Sequence, residues 1–116
     1  MITVKSFDSL ESLINESKAS LVLFGGESCG VCQAIKPKLR RQLNSTFSEL
    51  ELVYADCQLY PEVCAQSTVF SLPVVRVYFD GQLFLEEIKA FSISKLVKDI
   101  ERPYKTLFDA NYFNLA

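Results

Sequence analysis

The sequence predicts an α/β domain: a central mixed sheet covered by helices on both faces, in the order β-α-β-α-β-α-β-β-α. Three observations carry that prediction. Short apolar runs suited to buried strands alternate with stretches whose apolar residues recur at helical spacing. Two strand-like runs near the end are joined by Asp80-Gly81, a strong two-residue hairpin signal. Finally, 116 residues with 49% apolar and 22% charged content suit one core of ordinary size and argue against disorder.

Residues 2–7 (ITVKSF) alternate as a short strand does. Asp8 reads as a helix N-cap, with Glu11 completing a capping box and Leu10, Leu13 and Ile14 on one face. SLVLF (20–24) is short and apolar, as a buried strand would be. From Cys29 onward Val31, Ile35, Leu39, Leu43 and Phe47 recur every four residues beside Ala34, predicting a long amphipathic helix. Pro37 lies inside it and is expected to kink it, because proline cannot donate to the carbonyl one turn back.

LELVYAD (50–56) reads as a third strand, and Pro61 suits the first turn of a helix carrying Val63, Cys64 and Ala65. PVVRVYF (73–79) and QLFLEEI (82–88) are the hairpin strands. Ile93, Leu96, Val97 and Ile100 fall on one face of a closing helix that Pro103 is expected to end. Alternation in the first half implies parallel strands with right-handed crossovers, and the hairpin adds an antiparallel edge. The domain is thus read as residues 1–103, with 104–116 as a C-terminal extension. That extension holds Tyr104, Phe108 and Tyr112 four apart, with Leu107 and Leu115 nearby. A short helix folded back on its own domain is the plainer account, and docking to a partner or to a second copy, as a homodimer, is the alternative.

A net charge of −2 gives no reason to expect nucleic acid or an anionic membrane as partner. The cluster Lys36, Lys38, Arg40 and Arg41 reads as a solvated helix face. MITVKSFDSL lacks the basic start and apolar run of a signal peptide, and no stretch approaches the roughly 20 apolar residues that span a bilayer. A soluble, cytoplasmic protein is the expectation. Thiols stay reduced there, so four cysteines point to redox or metal chemistry before structural staples. Asn44-Ser45-Thr46 matches a glycosylation pattern, but a match of three residues arises by chance.

The chemistry concentrates in ESCGVCQAIKP (27–37). Cys29 sits where a buried strand has ended and a helix begins, so unpaired backbone N–H groups and the helix dipole stabilise its thiolate. Such a thiolate attacks disulfides. Cys32, one turn on, is placed to attack the mixed disulfide and release the reduced substrate. Gly30 eases the backbone into the turn, and inside a βαβ pattern CGVC is a fairly specific signal.

Here the sequence resembles the thioredoxin family, over residues 1 to about 102. The resemblance rests on Cys29-Gly30-Val31-Cys32, Pro37 five residues on, Leu72-Pro73 opening the hairpin and Asp80-Gly81 at its turn. It implies the thioredoxin fold and thiol–disulfide oxidoreductase activity toward protein disulfides. It also implies no bound cofactor, no metal, and an external reductant that restores the dithiol. It further implies that Pro73 is cis and faces the dithiol, that the Leu72 backbone pairs with the substrate chain, and that Gly30 and Val31 lie against that chain.

Four departures stand out. Leu23 replaces the family's buried acid, which helps deprotonate the resolving cysteine; Ser28 replaces a tryptophan; Val31 stands where thioredoxins have proline; Lys89 replaces a glycine that lets substrates approach. Glu27 is the nearest carboxylate in sequence. Leu23, Ser28 and Lys89 favour a rival reading, a non-catalytic binding or adaptor module of the same fold, which the intact CGVC and Pro37 oppose. Cys57 and Cys64 read first as small buried apolar residues, then as a second disulfide or regulatory thiol pair. A four-cysteine zinc or iron–sulfur site ranks last, because the second CxxC of a zinc ribbon is absent and the chain has no histidine.

Overall fold

In the computed structural model, residues 1–108 are described. The chain forms β1 (Ile2–Val4), α1 (Phe7–Glu16), β2 (Ala19–Gly25), α2 (Gly30–Thr46), β3 (Glu51–Asp56), α3 (Pro61–Gln66), β4 (Val74–Phe79), β5 (Gln82–Ile88) and α4 (Ile93–Phe108). The strand order is β1-β3-β2-β4-β5. β1 and β2 lie parallel to β3, β4 runs antiparallel to β2, and β5 pairs antiparallel with β4. The predicted element order and the parallel first half with an antiparallel edge are both present.

The central strands are buried on both faces, and their side chains split by parity. Leu21 and Leu23 of β2, Leu52 and Tyr54 of β3 and Val75 and Val77 of β4 form one core with Leu39, Leu43, Leu96 and Ile100 from α2 and α4. Val22, Phe24, Val53, Ala55 and Val74 form the opposite core with Leu10 of α1 and Val63 of α3. At the β4–β5 turn Asp80 and Gly81 both take positive φ, 52° and 77°. That is the backbone a two-residue hairpin matched to strand twist requires.

Three local expectations are corrected. The N-cap of α1 is Ser6, whose hydroxyl accepts from the Ser9 N–H at 3.1 Å, and Asp8 lies in the first turn. The helix begins at Phe7, so the residue placed to cap its first free N–H groups is Ser6, and Asp8 falls inside the first turn, where its charge suits the helix dipole. The first strand accordingly ends at Val4.

α4 does not stop at Pro103. It continues to Phe108, with Tyr104, Leu107 and Phe108 packed on the first core. The Tyr104 ring lies 4.8 Å from Phe47 and 4.7 Å from Phe108, and its hydroxyl accepts from the Glu49 N–H at 2.9 Å. Proline costs the helix one bond to the Asp99 carbonyl, and aromatic burial on the next turn outweighs that loss. α2 likewise runs through Pro37. The rest of the C-terminal extension, Tyr112 and Leu115 included, lies outside the described residues.

The topology gathers several loops at one end of the sheet. β2 and β3 are parallel and end together, with Gly25 opposite Asp56. β4 runs the other way, so its first residue, Val74, lies beside Phe24 and opposite Ile88. The segments after β2, after β3, before β4 and after β5 therefore meet at that edge.

Candidate redox site

Cys29 is the N-cap of the seventeen-residue helix α2, at the end where the dipole favours negative charge. Its sulfur accepts from the Cys32 N–H at 3.2 Å, and its carbonyl accepts from the Gln33 N–H at 3.0 Å. Cys29 is half-buried, whereas Cys32 on the inward side of the first turn has no exposed surface. The two are joined by a disulfide with Cα atoms 5.2 Å apart. Gly30 and Val31 between them are exposed: open space surrounds Gly30, and Val31 is 58% exposed.

The connecting loop is held from both sides. The Cys29 N–H donates to the Gly26 carbonyl at 3.1 Å, and the Gln33 side-chain amide donates to the same oxygen at 3.1 Å. The Ser28 N–H donates to Gln58 Oε1 at 2.8 Å, and the Gln58 side chain fills the space over Gly26 so closely that a Cβ there would meet it at 2.8 Å. At the far side of the edge the Leu72-Pro73 peptide is cis, Pro73 is buried and Leu72 half-buried. The Pro73 carbonyl accepts from the Lys89 N–H at 2.7 Å.

With that geometry in place the likeness to known proteins is direct. The family model described as Thioredoxin matches residues 1–102. This chain belongs to the thioredoxin family. It is 30% identical over 105 residues to thioredoxin-like protein YdfQ of Bacillus subtilis, covering 90% of this chain and 93% of that protein. Its fold matches a Fasciola hepatica thioredoxin with a TM-score of 0.77 at 29% identity, covering 88% of this chain and 98% of the other. A Plasmodium falciparum thioredoxin matches with a TM-score of 0.76 at 25% identity, with the same coverage. Membership carries thiol–disulfide oxidoreduction as the general activity of the fold and its CxxC pair.

Against that background the departures acquire positions. Leu23 is fully buried and lies beside Tyr54 in the strand register. Lys89 adopts φ 66°, the left-handed region that glycine enters without strain, which is the backbone reason for a glycine there. Glu27 and Ser28 are exposed. Thr68, ahead of the Leu72-Pro73 turn, also has positive φ, 62°, where a β-branched residue is an outlier.

Cys57 and Cys64 are not two inert core thiols. They form a second disulfide with Cα atoms 5.5 Å apart, so the four cysteines fall into two pairs rather than one cluster. Cys57 adjoins the site, its N–H donating to the Gly25 carbonyl at 2.8 Å. Gln58, inside the loop this bond closes, is the residue that holds Ser28. Sequence reading missed Gln58 and Tyr54. Both lie one chain segment away from the dithiol, and only the pairing of β2 with β3 brings them to it.

Proposed function

We propose that the chain is a thiol–disulfide oxidoreductase acting on disulfides in proteins. Cys29 as thiolate attacks one sulfur of the substrate disulfide, forming a mixed disulfide and expelling a substrate thiolate that takes up a proton. The Cys32 thiolate then attacks Cys29, forming the Cys29–Cys32 bond and releasing the second substrate thiol. Two electrons pass from the dithiol to the substrate, and an external dithiol reductant returns them. The observation that carries this reading is the asymmetry of the pair: a half-exposed sulfur at a helix N-cap, with its partner buried one turn further in. Exposed Val31, Phe70 and Ile88, at 58%, 80% and 53%, offer an apolar surface at the same edge as the Leu72-Pro73 turn. A protein chain would lie across it.

The test is a redox titration. The protein is equilibrated in glutathione or dithiothreitol buffers, free thiols are trapped by alkylation, and each cysteine is followed by mass spectrometry beside an insulin-reduction assay. A reversible two-electron transition of Cys29–Cys32, with insulin reduced above the dithiothreitol background, is expected. A pair that titrates while insulin stays at background would return the chain to the adaptor reading.

For Cys57 and Cys64 a regulatory role is favoured by one observation, the Gln58–Ser28 hydrogen bond linking their loop to the residue before Cys29. Opening that disulfide loosens Gln58 and with it the approach to the nucleophile. The reading goes with a reducing, cytoplasmic setting, where both pairs are open at rest and oxidation is the signal.

A further inference from the structure

We propose that the hydroxyl of Tyr54 is the group that stabilises the Cys32 thiolate during release of the mixed disulfide. The inference rests on the redox reading above and extends it to a residue outside the CxxC segment.

Tyr54 is only 3% exposed, and its hydroxyl has no hydrogen-bond partner among the described residues. Such a group is costly unless some state of the protein satisfies it. Its location identifies the state. A Cβ placed on Gly25 would lie 3.1 Å from Cys32 Cβ and 3.1 Å from the Tyr54 hydroxyl, so both crowd the same face of Gly25, too closely for a methyl to enter without displacing one of them. Leu23, beside Tyr54 on the same face, supplies no polar atom. In the disulfide form the Cys32 sulfur is a poor acceptor and the hydroxyl stays unpartnered. When the bond opens, a thiolate at the same place is a strong acceptor.

The surroundings favour a donor rather than a base. Burial raises the Tyr54 ionisation above its usual range, and the carboxylates of Asp56 and Glu27 add to the rise. The Gln33 side-chain amide, committed to the Gly26 carbonyl, also reaches toward the Tyr54 oxygen and offsets part of the rise. That polar contact falls short of hydrogen-bond geometry and leaves the hydroxyl proton free to donate; the Lys36 ammonium stands 3.7 Å over the ring. These influences together hold the proton on Tyr54 more firmly than on an exposed tyrosine, so it faces Cys32 as a donor. In the step itself the Cys32 thiol gives its proton to water and holds its charge against the Tyr54 O–H. It then attacks Cys29; the Cys29–Cys32 bond forms, the Cys29–substrate bond breaks, and the departing thiolate is protonated by water. Tyr54 exchanges no electrons and no proton.

A hydrogen bond to a charged group corresponds to about one to two pKa units. In Tyr54→Phe the Cys32 pKa should rise by that amount. Release from the mixed disulfide near neutral pH should slow about three- to tenfold, less than the thiolate population falls, because a more basic thiolate is the better nucleophile.

The experiment follows the Cys32 Cβ resonance by NMR against pH in full-length Cys29→Ser protein, with and without Tyr54→Phe, Cys57–Cys64 remaining closed. Single-turnover release is measured in the proteins that keep Cys29. Gly25→Ala, whose methyl would push the Tyr54 hydroxyl away from Cys32, is the second variant and should move the Cys32 pKa the same way. A merely structural hydroxyl would leave that pKa in place while unfolding midpoints stayed level or rose. Coincident titration curves with and without Tyr54→Phe overturn the inference even if insulin is reduced. A curve shifted by Tyr54→Phe, beside a Cys29-containing protein that fails to reduce insulin, keeps the Tyr54–Cys32 hydrogen bond and removes the redox proposal instead.

Discussion

Replacing Tyr104 with alanine should destabilise the domain by about 3 kcal/mol, although Tyr104 lies beyond the proline that was expected to end its helix. The ring packs between Phe47 and Phe108 and is half-buried. Losing roughly 100 Å² of burial at about 25 cal/mol per Å² removes about 2.5 kcal/mol. The aromatic pairs add about 0.5–1.5 kcal/mol. The freed Glu49 N–H is exposed and finds water, so it adds only about 0.5 kcal/mol, and alanine's better helix propensity returns a similar amount. Urea unfolding under conditions that keep both disulfides closed gives the value directly, and Tyr104→Phe isolates the hydrogen bond at about 0.5–1 kcal/mol. In a domain of this size the alanine change lowers Tm by roughly 12–20 °C. An alanine protein within about 0.5 kcal/mol of wild type, the spread of ordinary surface changes, would refute the packing argument and restore Pro103 as the end of the folded unit.

Lys89→Gly should hold or raise stability by about 0.5 kcal/mol, because relief at φ 66° outweighs glycine's entropy, whereas Lys89→Val should cost about 1–2 kcal/mol; thermal unfolding separates them. Changing Cys57 and Cys64 together to alanine removes a bond across a sequence separation of seven, worth about 2.5 kcal/mol of chain entropy in the loop-closure account, measured as a lower urea midpoint in oxidised protein. The raised Tyr54 pKa predicts a pH effect. Above about pH 10 the unfolded tyrosine ionises first, so the stability present below that pH is lost as pH climbs toward the folded value. Tyr54→Phe should show a shallower alkaline loss than wild type by chemical denaturation; parallel curves would contradict it.

What could be read in advance follows from the range of each signal. β5 and the Asp80-Gly81 turn were legible because alternation and positive φ are settled within a few residues. The CGVC pair was legible because strand end, helix start and dithiol are contiguous. The α4 boundary was not, since the proline rule is local and Tyr104 is held by Phe47, far along the chain. Nor was the Cys57–Cys64 bond, whose seven-residue spacing crosses a strand end, a turn and a helix start. Tyr54 could be assigned to a face of its strand by alternation, but its place beside Leu23 depends on the β2–β3 register.

That register also explains why a buried acid can be dispensed with. A carboxylate beside Cys32 would titrate with it, and the two ionisations would be shared between the groups. Leu23 removes the coupled partner and Tyr54 replaces it with a donor that stays neutral over the working range. Release of the mixed disulfide should then follow one ionisation, that of Cys32, rather than two. The core beneath the site tolerates the exchange because Leu23 adds an apolar side chain to a face already built from Leu21, Leu52 and Val75. A carboxylate returned at Leu23 would enter that apolar layer with Tyr54 as the neighbouring donor, and its own pKa would rise with its burial. Leu23→Asp should therefore add a second inflection to the pH profile of release, and an unchanged single inflection would argue that the two strands do not meet Cys32 as described.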